Sequence, residues 1–329
     1  MSAVPAPLTL AVHTLGRDRR RRMAEDVRRS LGGEPRELPC RYLYDERGSQ
    51  LFDRITRLPE YYLTRAEREI LEARADRIVD LACPASMVEL GAGSCEKTRL
   101  LLAAGRRRGY LRYFVPFDIS ETALWEAARG LAEEFRGLCV YGLVGDFDDD
   151  LHRIPRLGRQ LVLFLGSTIG NFDEVERVSF LRRLGSLMSG EDRLLLGVDL
   201  MKDTGLLRAA YDDASGVTAE FNRNLLSVLN RELGADFVPE AFEHVARVDR
   251  ARQRVELFLR SGREQVVTIP EAGLEVRFRA GDLIRTEISA KFTRGSVAEM
   301  LEGAGFALRG WFTDRRRQFA LALASPRDG

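Results

Sequence analysis

A glycine-rich turn follows the first strongly apolar run of the chain. The segment VELGAGSCEKT at 88–98 begins on a predicted strand that carries Glu89. Gly91 and Gly93 follow, ahead of a predicted helix, and glycines at such a turn let the backbone approach a bound nucleotide closely. Glu96 stands where a dinucleotide fingerprint has its third glycine, so the motif alone is weak evidence for a cofactor site.

Carboxylates also end the next two predicted strands. Asp118 can accept hydrogen bonds from both ribose hydroxyls of a nucleoside, an arrangement that serves NAD or S-adenosylmethionine. Asp146 and Phe147 form an acid–aromatic pair, which can bind the amino group of adenine and stack on its ring. Each acid alone is more typical of a helix N-cap or a solvated loop. Together, the three acids at successive strand ends favour S-adenosylmethionine.

These side chains require an α/β scaffold to position them. From about Met87, short apolar runs alternate with helical stretches, which is typical of βαβ units and a parallel sheet. We predict strands at 87–93, 113–120, 139–147, 161–166 and 193–200. The segments at 307–314 and 319–324 are expected to add edge strands to the same sheet.

The pattern of apolar and polar residues changes after Met201. A polar helical stretch precedes segments in which apolar and polar residues alternate. Those segments predict an antiparallel meander and lie at 242–248, 254–261, 265–269 and 274–278. A second domain inserted into the first explains this order of elements.

Composition excludes several classes of protein. The 329 residues suit one large or two moderate domains, and 51 basic against 50 acidic side chains leave no basic footprint for nucleic acid. The four cysteines form no CxxC pair, so we expect no metal site and no disulfide framework, in a reducing cytoplasm. The N-terminus lacks an export signal, and LVLFLG at 161–166 is far shorter than the roughly 20 residues of a membrane span.

Five longer motifs are specific enough to indicate a family. They are YLYDERGSQLFDRITRLPEYYLTRAEREIL at 42–71, GAGSCEKT at 91–98, FLGSTIGNF at 164–172, AYDD at 210–213 and RTEISAKF at 285–292. With them the chain resembles, over nearly its whole length, the actinobacterial and fungal L-histidine Nα-methyltransferases of ergothioneine biosynthesis. The resemblance implies an α/β fold: a class I S-adenosylmethionine methyltransferase (Rossmann-like) sheet with an inserted α+β substrate domain.

The resemblance also implies boundaries, ligands and site residues. The cofactor-binding domain would comprise 65–201 and 291–329, and the substrate domain 13–64 and 202–290. Cofactor contacts would fall on Tyr44, as a lid near the reactive methyl, and on Gly91, Lys97, Asp118, Asp146 and Phe147. Substrate contacts would fall on Tyr61, Asn171, Tyr211, Glu287 and Ser289. The expected protein is a cytoplasmic monomer that converts free L-histidine to Nα,Nα,Nα-trimethyl-L-histidine (hercynine), with S-adenosylmethionine as co-substrate and without metal, nucleic acid or membrane.

Methyl transfer from a sulfonium makes modest chemical demands. It is an in-line displacement, so the protein must hold the amine lone pair against the methyl and exclude water. Because an α-amino group has a pKa of about 8 or higher, its neutral form must be selected. Asn171 and Tyr211 are neutral groups that can orient an amine without repelling the sulfonium, which makes them the expected catalytic pair. Taken alone, Asn171 is more typical of an N-cap for the helix that follows it.

Glu287 and Ser289 stand two residues apart in RTEISAKF. In an extended segment both side chains point to one face, where they can bind the two nitrogens of an imidazole. Without the resemblance, a surface-facing pair is the more probable interpretation. Tyr61 could equally be a core ring, although aromatic faces tolerate the charge of a methylated amine.

Three other functions compete with histidine methylation. The first is the same chemistry on another amino acid such as tryptophan, because Leu257 stands where relatives often carry methionine and fungal relatives methylate tryptophan derivatives. The second is a module that binds S-adenosylmethionine without catalysis. The third, a nicotinamide oxidoreductase, is disfavoured by the missing glycine and by the lack of a proton-relay histidine or lysine near the strand ends.

Overall fold

The computed structural model describes residues 10–14 and 19–327, except for the side chains of Phe147 and Asp148. The strands are β1 (Leu10–Thr14), β2 (Ser86–Leu90), β3 (Tyr113–Asp118), β4 (Cys139–Val144), β5 (Gln160–Phe164), β6 (Arg193–Asp199), β7 (Phe242–Asp249), β8 (Arg254–Ser261), β9 (Gln265–Ile269), β10 (Leu274–Phe278), β11 (Leu283–Ala290), β12 (Phe306–Thr313) and β13 (Phe319–Pro326). The helices are α1 (Arg19–Leu31), α2 (Glu46–Thr56), α3 (Leu63–Ala82), α4 (Thr98–Arg107), α5 (Glu121–Glu134), α6 (Phe147–Asp150), α7 (Glu174–Ser186), α8 (Thr204–Tyr211), α9 (Val217–Leu233) and α10 (Arg294–Gly303).

Eight strands form one large sheet in the order β1-β4-β3-β2-β5-β6-β13-β12. The first six of these strands pair in parallel, and β13 pairs antiparallel with both β6 and β12. Every residue of β2 and β5 is buried, as expected for strands covered by helices on both faces. The predicted α/β fold class and its five parallel strands are therefore confirmed.

The two margins of this sheet differ from the prediction. Both C-terminal strands join the sheet as expected, but β13 lies between β6 and β12, so only β12 forms the edge. At the opposite edge, β1 pairs in parallel with β4, a strand that the sequence did not predict. His13 and Thr14, which the predicted boundary assigns to the substrate domain, therefore lie in the large sheet.

The remaining strands form two small antiparallel sheets. β11, β8 and β7 make a three-stranded sheet, while β9 and β10 pair only with each other. The prediction of one continuous meander is therefore wrong. Helix α9 contacts strands of both small sheets and also α1 and α2, so the N-terminal helices share its core.

The three-stranded sheet meets the large sheet at the end of β6. Leu200 forms a parallel bridge with Phe292, the N–H of Phe292 donates to the carbonyl of Asp199 at 2.8 Å, and the N–H of Met201 donates back at 3.0 Å. This backbone contact fixes the end of β11 beside the end of β6. Within the described part of the chain, no helix combines the length and apolar character needed to cross a membrane.

Candidate active site

The turn after β2 is open and is fixed to the end of β3. Gly91 and Gly93 have φ of +72° and +49°, and a side chain added at either would meet no atom within 4 Å. The N–H of Gly93 donates to one carboxylate oxygen of Asp118 at 2.8 Å, and the N–H of Ser120 donates to the other at 2.9 Å. Because each carboxylate oxygen has a second lone pair, Asp118 can still accept from a ribose diol.

A buried acid beside this turn lacks one partner. Glu89 is 4% exposed, and one of its oxygens accepts from the Thr98 hydroxyl at 2.5 Å. Its other oxygen has no hydrogen-bond partner among the described residues, and burial raises the pKa of Glu89 to about 8. A buried carboxyl with an unsatisfied oxygen beside two open glycines fits a ligand that carries both a hydroxylated ring and a cationic or amino group, as S-adenosylmethionine does.

Asp146 and Phe147 follow β4, as predicted. Asp146 is half-buried, and a guanidinium nitrogen of Arg41 lies 3.6 Å from its carboxylate. Arg41 also forms an ion pair with Asp26, so it connects the N-terminal helices to this strand end. The backbone of Phe147 begins α6, but its predicted stacking side chain lies outside the described residues.

Lys97 has a partner that the sequence did not reveal. Its ammonium group forms an ion pair with Glu67, which is 1% exposed on α3. The other oxygen of Glu67 accepts from the N–H of Gly166 at 2.9 Å, just beyond β5. Glu67 therefore ties the start of α4 to the end of β5. The sequence feature that could have indicated this ion pair is a glutamate within the apolar face of α3.

An aromatic wall lies on the other side of the site. Tyr44 contacts Phe221 with ring centroids 5.5 Å apart, Phe52 contacts Tyr61 at 6.1 Å, and Tyr61 contacts Tyr211 at 6.4 Å. Burial raises the pKa of Tyr44, Tyr61 and Tyr211 well above the usual value. The three hydroxyl groups therefore stay protonated and neutral.

Glu287 and Ser289 leave the same face of β11. A bulge between Arg285 and Glu287 shifts the register, after which Glu287 lies opposite Leu257 and Ser289 lies opposite Val255 in regular alternation. Glu287 lies close enough to raise the pKa values of Tyr44 and Tyr211, so the strand faces the aromatic wall.

The Glu287 carboxylate is half-buried, and none of the described residues donates a hydrogen bond to it. Burial raises its pKa to about 7, and the nearby charge of Lys291 opposes part of that rise. A half-buried carboxyl without a donor is a site that a ligand N–H can complete. Glu287 is therefore available to a substrate.

Behind this face lies a buried polar network that sequence reasoning missed. Lys291 Nζ lies 2.8 Å from both the Tyr211 hydroxyl and Ser289 Oγ, and 2.9 Å from Asp199. The Tyr211 hydroxyl and Ser289 Oγ are themselves 2.7 Å apart. Lys202 pairs with Asp199 from the other side. Two features of the sequence could have indicated this network: Asp199 at the end of an apolar strand, and the lysine of the motif RTEISAKF.

Asn171 is not a helix cap. It ends the short 3-10 helix Thr168–Asn171, and Asp173 caps α7 by accepting from the N–H groups of Val175 and Glu176 at 2.9 and 2.8 Å. The N-cap interpretation of Asn171 is therefore wrong. Its amide nitrogen lies 3.9 Å from Cys40 Sγ, and Glu287 also lies near that thiol. Asn171 is thus placed on the Glu287 side of the site.

Among the residues described, no group of three or more His, Cys, Asp or Glu side chains is placed to hold a metal ion. The parallel strand ends carry the predicted cofactor residues Gly91, Lys97, Asp118 and Asp146. The aromatic wall and β11 gather the predicted substrate residues Tyr61, Asn171, Tyr211, Glu287 and Ser289, with Tyr44 in the same wall.

The sequence is similar to histidine methyltransferases over most of its length. The profile of a family described as "Histidine-specific methyltransferase, SAM-dependent" matches residues 23–326. The chain is 47% identical to the histidine N-alpha-methyltransferase of Mycolicibacterium smegmatis, over 92% of this chain and 94% of that protein. It is 48% identical to the Mycobacterium tuberculosis protein of the same name, with the same coverage. Identity is 32% to ergothioneine biosynthesis protein 1 of Schizosaccharomyces pombe, over 83% of this chain and 36% of that protein.

Proposed function

The chain belongs to the family of histidine-specific, S-adenosylmethionine-dependent methyltransferases, and on that premise we propose that it methylates the α-amino nitrogen of free L-histidine. The product is Nα,Nα,Nα-trimethyl-L-histidine (hercynine), which is used in ergothioneine biosynthesis. The observation that carries the proposal is the unpaired Glu287 carboxylate beside Ser289, facing an aromatic wall. That pair can bind both ring nitrogens of an imidazole. A substrate with an apolar side chain would leave the Glu287 carboxyl without a hydrogen-bond partner.

The cofactor is held by the ends of the parallel strands. S-adenosylmethionine supplies the reactive methyl group on its sulfonium sulfur. Asp118 would accept from the ribose hydroxyls and Asp146 from the adenine amino group, and the Asp146-Phe147 motif of the sequence makes Phe147 the proposed stacking partner of adenine. Gly91 gives the backbone close access, and Lys97, fixed by Glu67, binds the carboxylate of the ligand.

The substrate is oriented from both of its ends. Glu287 accepts from one imidazole N–H, and Ser289 serves the other ring nitrogen. Asn171, Tyr61 and Tyr211 orient the α-amino and carboxylate groups, with Asn171 and Tyr211 as the pair that acts on the reacting nitrogen. Because both are neutral, they align the amine lone pair without placing a second cation beside the sulfonium.

The aromatic wall favours repeated transfer. A trimethylated amine keeps its charge but has no N–H left to donate, so only aromatic faces and distant charges can stabilise it. The rings of Tyr44, Tyr61 and Tyr211 provide such faces. Tyr44 acts as a lid near the reactive methyl and helps to exclude water.

We propose that the whole chain is divided into a cofactor domain and a substrate domain. Residues 65–201 and 291–329 form the cofactor domain, to whose sheet β1 adds an edge strand, and 202–290 together with the N-terminal residues between β1 and 65 form the substrate domain. The contacts of α9 with both N-terminal helices and small sheets support this division. The enzyme works as a cytoplasmic monomer on a small molecule.

Mass spectrometry tests the proposal. The purified protein is incubated with S-adenosylmethionine and each of the twenty amino acids separately. We expect a gain of three methyl masses on histidine alone, with S-adenosylhomocysteine as the second product. Methylation of tryptophan or another amino acid instead would overturn the substrate, and cofactor binding without any methylated product would overturn catalysis.

A further inference from the structure

We propose that Lys291, anchored by Asp199, is a positioning residue that forces Ser289 to donate its hydroxyl hydrogen to the substrate. The site would thereby select a ligand with an acceptor at that point, such as the unprotonated nitrogen of a neutral imidazole. The proposal rests on the proposed function and adds to it the protonation state and the tautomer of the bound ring.

Each hydrogen of the Lys291 ammonium group has one oxygen partner. Its ammonium group carries three N–H donors, and three oxygens lie within 2.9 Å: the Tyr211 hydroxyl, Ser289 Oγ and Asp199 Oδ2. The side chains of Lys291 and Asp199 are both fully buried, so water does not replace any of these partners. Both hydroxyl oxygens must therefore accept from Lys291.

A count of hydrogens then limits the arrangements open to the two hydroxyl groups. The Tyr211 and Ser289 oxygens are 2.7 Å apart, and only one of them can donate to the other. We assign Tyr211 as that donor, because a phenol is the more acidic hydroxyl and its oxygen is the weaker acceptor; Ser289 then accepts twice, once from Lys291 and once from Tyr211, and both of its lone pairs are used. The Ser289 hydroxyl can then act toward the substrate only as a donor.

Glu287 completes the selection. Its carboxylate leaves the same face of β11 and offers only an acceptor when ionised. One acceptor and one forced donor match a neutral imidazole with one N–H and one bare nitrogen. A ring with two N–H groups, or with one N–H and no acceptor, leaves one of these groups unsatisfied.

Asp199 holds the lysine in place and supplies a matched control. Its two oxygens accept from Tyr62 at 3.0 and 2.8 Å and pair with Lys202 as well as Lys291. Lys202 reaches the Tyr62 hydroxyl and the carbonyl of Leu200, on the opposite side of Asp199 from Ser289. Both lysines thus share one carboxylate, but only Lys291 contacts the substrate-facing hydroxyls.

The test compares histidine with a pyrrole isostere that keeps an N–H and replaces the acceptor nitrogen by C–H. We expect the unmodified enzyme to prefer histidine in kcat/KM by about a hundredfold, and Lys291→Met to reduce that ratio about tenfold. Lys202→Met should leave the ratio unchanged. A merely structural role for Lys291 predicts that its loss lowers kcat/KM for both ligands equally, and that result would overturn the proposal.

Ser289→Ala keeps the test decisive if Lys291→Met does not fold. This variant should lower the ratio on its own, because it removes the hydroxyl that donates to the acceptor nitrogen of the substrate. An unchanged ratio in Ser289→Ala would refute the forced donor. Calorimetric binding of both ligands separates the two levels of inference: an enzyme that binds and methylates histidine with no preference over the isostere overturns only the Lys291 proposal. An enzyme that neither binds nor methylates histidine overturns the proposed function as well.

Discussion

The cofactor side and the substrate side of the proposed active site are built from different parts of the polypeptide. On the cofactor side, the Asp118 carboxylate is held by the backbone N–H groups of Gly93 and Ser120. On the substrate side, Ser289 is held by other side chains, those of Tyr211 and Lys291. The first arrangement follows from the carboxyl ends of adjacent parallel strands, whereas the second requires side chains from distant segments to meet.

This difference predicts different responses to substitution. A carboxylate bound by backbone donors near solvent loses one ligand contact when it is changed, and its neighbours keep their positions. In the buried network each charge depends on the others, because a single uncompensated charge in a low-dielectric interior is costly. We therefore expect substitutions on the cofactor side to change affinity, those in the buried network to change stability, and only those network substitutions that reach Ser289 to change specificity as well.

Asp199→Asn should have the largest effect. The substitution leaves Lys202 and Lys291 without their shared carboxylate, and Asp199 is completely buried. Loss of one partner of a buried ion pair lowers the free energy of unfolding by about 3–5 kcal/mol, measurable by urea denaturation. Asp76→Asn, which breaks an exposed pair with Arg107, is the control and should cost less than about 1 kcal/mol. Equal losses for the two variants would contradict the contrast between the regions.

Glu287→Gln should lower kcat/KM for histidine about a hundredfold, because a charge-assisted hydrogen bond to the imidazole is lost. Affinity for S-adenosylhomocysteine, measured by calorimetry, should not change. Since the pKa of Glu287 is raised to about 7, the carboxylate gains charge through that pH, and kcat/KM of the unmodified enzyme should show an inflection there. Persistence of this inflection in the variant would assign it to another group.

Glu287→Gln should also change how the free energy of unfolding depends on pH. The folded pKa of Glu287 lies above the unfolded value of 4.5, so the folded state retains a proton that the unfolded state has released. Between about pH 4.5 and 7 this group therefore lowers the free energy of unfolding by about 1.4 kcal/mol per pH unit. Urea denaturation over that range should show a shallower decline for Glu287→Gln than for the unmodified protein. Identical slopes for the variant and the unmodified protein would show that a group other than Glu287 causes the pH dependence.

Asp118→Asn tests the cofactor side. An amide in this position cannot accept from both backbone N–H groups, so we expect affinity for S-adenosylhomocysteine to fall about tenfold. The KM for histidine at saturating S-adenosylmethionine should stay the same. A rise in that KM as large as the loss of cofactor affinity would show that the two regions are not independent.

Leu257→Met should have the smallest effect. Leu257 is 2% exposed and lies opposite Glu287 on the neighbouring strand. An exchange of apolar residues of similar volume changes the free energy of unfolding by less than about 1.5 kcal/mol, and the preference for histidine over tryptophan should remain. A switch in amino acid preference, measured by competition between the two substrates, would show that this position and not Glu287 sets specificity.

Local patterns predicted those elements that depend on local sequence. The five parallel strands are continuous apolar runs bounded by turns, and each was found close to its predicted position. Strand β1 was missed because a five-residue strand at a sheet edge carries little periodicity. The meander was wrong because alternation identifies antiparallel strands but not their partners. Asn171 was mistaken for a cap because two side chains that favour caps, Asn171 and Asp173, stand close together ahead of α7.

The sequence by itself determined the α/β class, the strand ends with their acids and, through its motifs, the family. Each of these depends on residues close together in the chain, so spacing and residue type are sufficient. Only the tertiary structure decided that Lys291 meets Asp199, that Glu67 meets Lys97 and that the Glu287 carboxylate has no donor among the described residues. Such contacts join segments that lie far apart in the chain, and burial, which sets their strength, is a property of the whole fold.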